Sequence, residues 1–180
     1  DIISYTAKRG FDIFLDLKLH DIPNTVEKTI NGLATLPIKF LTIHTSGGKD
    51  MMMAAMKAAS GTNVKIFGVT TLTSLSDIDT NSIFRRSAAE QVSSMLDLAE
   101  MAGIDGVVCS PHELELVKNR DSLLSITPGI RIQDLNDDQK RVMTPKKAID
   151  LGADYLVIGR PITTSNDIKK SLNDIYESIQ

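Results

Sequence analysis

An α/β fold of consecutive β/α units is predicted by three features of the sequence. Six short strand-like runs alternate with helix-like segments, glycines stop helices just ahead of strands, and all of it fits in 180 residues. A complete eight-stranded β/α barrel takes about 250 residues, or about 30 per unit. The expected architecture is therefore a (β/α)8 TIM barrel, truncated at its N-terminus to about six units and forming a single incomplete domain over residues 1–180. An open doubly wound sheet is the competing arrangement, but no Gly-x-Gly-x-x-Gly follows the first strand, so its dinucleotide-binding version loses its best support.

The elements follow in order. Residues 2–9 read as a helix ended by Gly10, with no strand ahead of it, and the chain starts at Asp1 without an initiator Met. Strands are expected at 13–18, 40–44, 65–69, 106–109, 124–127 and 155–158, each a short apolar run bounded by turn residues. Helices are expected at 25–35, 49–60, 87–102, 111–119, 145–151 and 168–179. Met51, Met52, Met53 and Met56 are expected to pack the second of these against the barrel. Ala102-Gly103 and Leu151-Gly152 stop helices just before strands, the signature of α-to-β connections. Asp77-x-Asp79-x-Asn81 begins like a calcium loop, but Ser82 stands where Gly is required and Ala88 where the closing Glu belongs, so a capping or mobile loop is expected.

Composition narrows the function. Twenty Lys and Arg against 23 Asp and Glu give a net charge of −3 with the cations scattered, which offers no footprint for a nucleic-acid backbone. No apolar run approaches the ~20 residues that cross a bilayer, so no membrane partner is expected. A single cysteine, Cys109, forms no internal disulfide, which points to a reducing cytoplasm. It ends an apolar strand, so a buried structural thiol outweighs a nucleophile paired with His112.

The chemistry concentrates on the first strand. Side chains alternate along a strand, so Ile13, Leu15, Leu17 and Leu19 share one face and Phe14, Asp16 and Lys18 the other. The all-apolar face is expected against helices, which turns Asp16 and Lys18 inward at the C-terminal strand end, where such barrels hold their sites. Ions buried there are costly unless paired, and these two form a natural pair. The following loop adds Asp21, the rigid Pro23 and an expected helix N-cap. Near the other end of the chain, Gly159 lets backbone N–H groups approach an anion and the Arg160 guanidinium can grip phosphate oxygens in pairs. His44 closes its strand as a rim hydrogen-bonder or an active-site neighbour.

Asp16-x-Lys18-x-x-Asp21-Ile-Pro-Asn-Thr25 resembles the signature of the orotidine 5'-phosphate decarboxylase family, in the monofunctional form typical of bacteria. The Asp-x-Lys-x-x-Asp core is shared across a superfamily; Ile22-Pro23-Asn24-Thr25 narrows it. Phe40 to His44, Gly68 to Thr73, Thr127-Pro128-Gly129-Ile130-Arg131, Asp138-Gln139-Lys140-Arg141 and Gly159-Arg160-Pro161 continue the resemblance in order.

The resemblance implies decarboxylation of orotidine 5'-monophosphate to UMP and CO2, a step of pyrimidine biosynthesis, with no metal and no organic cofactor. The electrons left at C6 of the ring occupy an orbital that the ring cannot delocalise. Lys18 would stabilise that carbanion and deliver its proton, with Asp16 holding and aiming the amine. Asp21 and Thr25 would reach into the site of a second subunit, so a homodimer with shared sites is implied. Gln139, Arg160 and the backbone at Gly159 would grip the phosphate, with Thr71, Pro128 and Arg131 as further contacts to the nucleotide or its closing loop. The family also carries an Asp and a Lys on two earlier strands that are absent here, which implies a weakly stable and weakly active chain. The alternatives are a magnesium-dependent sugar-phosphate lyase of the same superfamily and a non-catalytic barrel remnant that binds a phosphate ligand.

Overall fold

The computed structural model describes residues 1–131 and 143–180. Its strands are β1 (Phe14–Leu19), β2 (Phe40–His44), β3 (Lys65–Val69), β4 (Gly106–Val108), β5 (Leu124–Thr127) and β6 (Tyr155–Leu156), and their order in the sheet is their order in the chain. β1 with β2, β2 with β3, and β5 with β6 pair in parallel. Strands of an ordered parallel sheet must be joined by crossovers, and helices occupy those connections. The described chain divides into two compact units, 1–70 with 93–107, and 71–92 with 108–180.

In the first unit, α1 (Ile2–Ala7) leads into β1, and α2 (Pro23–Leu33) and α3 (Gly48–Ala59) are the crossovers to β2 and β3. Val26 and Ile30 of α2, and Met51, Met52 and Ala55 of α3, are buried at helical spacing, and Lys57 reaches from α3 to Glu27 of α2 at 2.8 Å. Leu41, Ile43 and Ile66 are wholly buried, as a parallel strand covered on both faces requires. Phe14, Phe40 and Phe67 stack edge to face across β1, β2 and β3, with centroid distances of 6.4 and 5.4 Å. Met53 departs from the expected methionine packing: it points off the buried stripe and is 48% exposed.

In the second unit, α9 (Ile168–Ser178) seats the buried Ile175 and Ser171, and the Ser171 hydroxyl donates to the Pro161 carbonyl at 2.8 Å. Pro161 belongs to the four-residue α8 (Arg160–Thr163), which the sequence reading did not anticipate. The region expected as one helix over 111–119 is a 3-10 turn, Pro111–Glu113, followed by α6 (Leu114–Lys118). Of the capping or mobile loop expected at Asp77-x-Asp79-x-Asn81, the capping alternative holds, and the segment runs on as α4 (Asp77–Phe84). Its Ser76 and Asp79 form a capping box, so the acidic pattern starts a helix. Cys109 is buried as expected, and burial, reinforced by nearby Glu113, pushes its thiol up to about 12. It is a neutral thiol at physiological pH.

One device recurs at the strand entrances. α5 (Ala88–Ala102) and α7 (Pro145–Asp150) both end at a glycine with positive φ, 67° at Gly103 and 99° at Gly152. In each the next amide turns back to the helix, Ile104 to Ala99 at 3.3 Å and Ala153 to Ala148 at 3.0 Å, the doubly bonded helix stop that glycine favours. Two residues after each glycine stands an aspartate. Asp105 accepts the Ile66 N–H of β3 at 2.8 Å, and Asp154 accepts the Ser125 N–H of β5 at 2.7 Å. A side chain thus satisfies a backbone donor at the start of each preceding strand.

Candidate active site

β1 and β2 run in simple register from Phe14↔Phe40 to Leu15↔Leu41, and the next aligned pair is Leu19↔Ile43. Residues 16–18 of β1 therefore stand opposite Thr42 alone, a bulge in the strand. At its end Lys18 takes φ 51°, a left-handed backbone that costs a side-chain-bearing residue about 1–2 kcal/mol. The expected alternation of β1 fails here, and Leu17, assigned to a face against helices, is 45% exposed.

Asp16 and Lys18 do come together. Lys18 Nζ lies 2.5 Å from Asp16 Oδ2, but the side chains remain 40% and 42% exposed, so the expectation of a buried ion pair is corrected. β1 is an edge strand of the described sheet, so the pair keeps contact with solvent, where hydration removes most of the cost of charge. Asp16 Oδ1 accepts the Thr42 hydroxyl at 2.8 Å, and the same hydroxyl oxygen accepts the Lys18 N–H at 2.9 Å. Thr42 was not singled out from the sequence. Alternation along β2 places it on one face with Phe40 and His44, but its complete burial, which sets it apart from an ordinary strand threonine, is visible only in the structure.

His44 ends β2 and meets His20, which follows β1, with ring centroids 5.3 Å apart. Burial lowers the His44 pKa from its ordinary 6.5, His20 and Lys18 push it the same way, and Asp16 opposes them. His44 is thus a neutral imidazole at pH 7 beside the ion pair. The folded protein resists a proton that the unfolded chain accepts, so this contribution to stability is complete above pH 6.5 and falls as the pH drops below it. Urea midpoints should therefore decrease from pH 7.5 to pH 5.5, and His44→Gln should flatten that slope. An unchanged slope in the variant would remove His44 as its source.

Asp21 and Thr25 are exposed. Asp21 lines an open hollow of about 460 Å³ with His20, Ile22, Pro23, Ser46 and Gly47. α2 begins at Pro23, two residues ahead of the expected start at 25, and its N-cap residue is Ile22, which makes no side-chain cap bond; Thr25 already lies in the first helical turn. Proline at the first position accounts for the earlier start, because its ring presets the helical φ and its missing N–H has no intrahelical acceptor to lose.

Gly159 and Arg160, two of the residues expected to grip phosphate, lie in the second unit. Gly159 is the N-cap residue of α8 and Arg160 its exposed first residue. β6 ends at Leu156, short of the expected 158, although the Val157 N–H still reaches the Thr127 carbonyl at 2.9 Å. Thr71 is buried, and Pro128 half-buried. Arg131 is buried too, with its guanidinium donating to the Ile130 carbonyl at 2.9 Å, so part of its donor set is spent inside the protein. Gln139 lies outside the described residues. Among the described residues no group of three or more His, Cys, Asp and Glu is placed to hold a metal ion, and no helix is long and apolar enough to cross a membrane.

A profile described as the Orotidine 5'-phosphate decarboxylase / HUMPS family matches residues 1–175. The orotidine 5'-phosphate decarboxylase of Ehrlichia chaffeensis is 50% identical over 177 residues, covering 96% of this chain and 77% of that protein. The Staphylococcus haemolyticus enzyme of the same name is 45% identical, covering 99% of this chain and 80% of its own. The crystal structure of orotidine 5'-phosphate decarboxylase from Lactobacillus acidophilus superposes with a TM-score of 0.85 at 39% identity, covering 99% of this chain and 80% of that one. Ordered β/α units, the Asp16–Lys18 pair at the end of β1 and near-complete coverage by such relatives agree: the chain belongs to the orotidine 5'-phosphate decarboxylase / HUMPS family.

Proposed function

We propose that this protein decarboxylates orotidine 5'-monophosphate to UMP and CO2 in pyrimidine biosynthesis, without metal or organic cofactor. The observation that carries the reading is the Lys18 ammonium held on Asp16 at the end of β1, in a chain half identical to an enzyme of that name. Loss of CO2 leaves an electron pair localised at C6 of the pyrimidine. A fixed cation beside that carbon stabilises the developing charge and then supplies the proton, and Lys18 fills both roles. Asp16 keeps the amine aimed, and its own charge beside the substrate carboxylate favours the state in which that carboxylate has departed.

The remaining assignments complete the reading. Gln139, Gly159 and Arg160 hold the phosphate, and Thr71, Pro128 and Arg131 contact the nucleotide or the segment that closes over it. Asp21 and Thr25 serve the site of a second subunit in a homodimer, which suits their exposure on the surface that follows β1. The six strands are six of the eight of a barrel within one incomplete domain, and the ordered parallel pairing supports this. The single, buried cysteine suits a cytoplasmic protein.

The test is an assay of purified protein with orotidine 5'-monophosphate, with and without EDTA. UMP formation that EDTA leaves unchanged is the expected result. Magnesium-dependent turnover of a hexulose or gulonate phosphate with none of the nucleotide would replace this reading by the sugar-phosphate lyase. UMP binding without turnover of either substrate would replace it by a non-catalytic phosphate-ligand module.

A further inference from the structure

We infer that Thr42 is a positioning residue for Lys18 and Asp16, a role that rests on the decarboxylase reading for its catalytic consequence. The inference starts from the bulge. Lys18 stands where β1 has lost register with β2, so its N–H has no ladder carbonyl at the usual place. A backbone donor left without an acceptor is costly, and here the Thr42 hydroxyl oxygen accepts it at 2.9 Å. That hydroxyl has one proton to give, and it goes to Asp16 Oδ1 at 2.8 Å, because a carboxylate oxygen can only accept. Both directions are therefore set.

Thr42 thereby joins two things that must be right together: the left-handed backbone from which Lys18 departs, and the carboxylate that aims its amine. Asp16 is held on two sides, by Thr42 at Oδ1 and by the Lys18 ammonium at Oδ2. Thr42 itself sits on β2, wholly buried and in register with Phe67 of β3, so the anchor is a rigid central strand and not a loop. Small errors in the placement of a reacting group cost rate far more than affinity, which predicts where the loss will show.

Thr42→Val keeps the shape and deletes the hydroxyl. It should lower kcat for decarboxylation by about ten- to a hundredfold while UMP affinity stays within about threefold. Thr42→Ser restores the hydroxyl and should recover most of that loss, a result that packing alone would not produce. Hydrogen exchange at the Lys18 amide supplies a readout independent of turnover: it should be slow in the unsubstituted and Ser proteins and accelerated in the Val protein. If the unsubstituted protein shows no decarboxylation, the functional reading fails while the exchange comparison still decides the anchoring. Equal Lys18 exchange in all three proteins, or undiminished kcat in Thr42→Val, would overturn the inference.

Discussion

Lys18→Ala should lower kcat for decarboxylation by about 10⁴-fold or more, with UMP affinity kept within about threefold. The size follows from removing two effects at once: a positioned proton donor contributes about 10² to 10⁴, and preorganised charge at a developing anion about 10² to 10³. UMP carries no carboxylate at C6, so its binding has little need of the amine. Loss of rate with retained product affinity is the signature of an interaction made in the transition state. Lys18→Arg sharpens the test, since guanidinium keeps the charge but does not give up its proton, and it should be nearly as inactive as alanine. Deletion also leaves Asp16 with Thr42 as its hydroxyl donor, so the local fold should survive. Circular dichroism and the thermal midpoint would verify that. Turnover preserved in Lys18→Ala would exclude it as the proton donor.

The second large effect concerns the shared site. Asp21→Ala and Lys18→Ala should each be nearly inactive, yet a mixture allowed to exchange subunits should regain about a quarter of the unsubstituted activity. In random reassociation about half of the dimers are mixed, and each mixed dimer holds one site with Lys18 from one chain and Asp21 from the other. The second site of that dimer lacks both. Native mass spectrometry would establish that mixed dimers had formed. Their formation without recovered turnover would place Asp21 in the service of its own subunit, and full activity of Asp21→Ala would remove it from the site.

β2, β3 and β5 were legible to the residue, because a short apolar run between polar boundaries leaves few alternatives for Phe40–His44, Lys65–Val69 and Leu124–Thr127. The Asp16–Lys18 pairing was legible from spacing. Its exposure was not, because alternation is a property of regular strands and nothing around Lys18 announces a positive φ: no glycine or asparagine stands there. α4 escaped for a different reason. Ile78 and Ile83 are 79% and 60% exposed, so the helix has no apolar stripe to betray it, and Ser76-x-x-Asp79 was its one local sign. α8 is a single turn begun by Gly159 and Arg160-Pro161, too short for periodicity to register. Thr42 was passed over because a lone threonine in a strand is ordinary, and its importance comes from a bulge in the neighbouring strand.

The aspartates two places after Gly103 and Gly152 act as a ruler. Each spans a fixed distance from the end of a helix to the entrance of the strand before it, so the alignment of neighbouring strands is held by a side chain as well as by their own ladder. Segments transplanted between such proteins should therefore carry the Gly-x-Asp triplet intact, with any added length placed ahead of the glycine, where it leaves the gauge undisturbed.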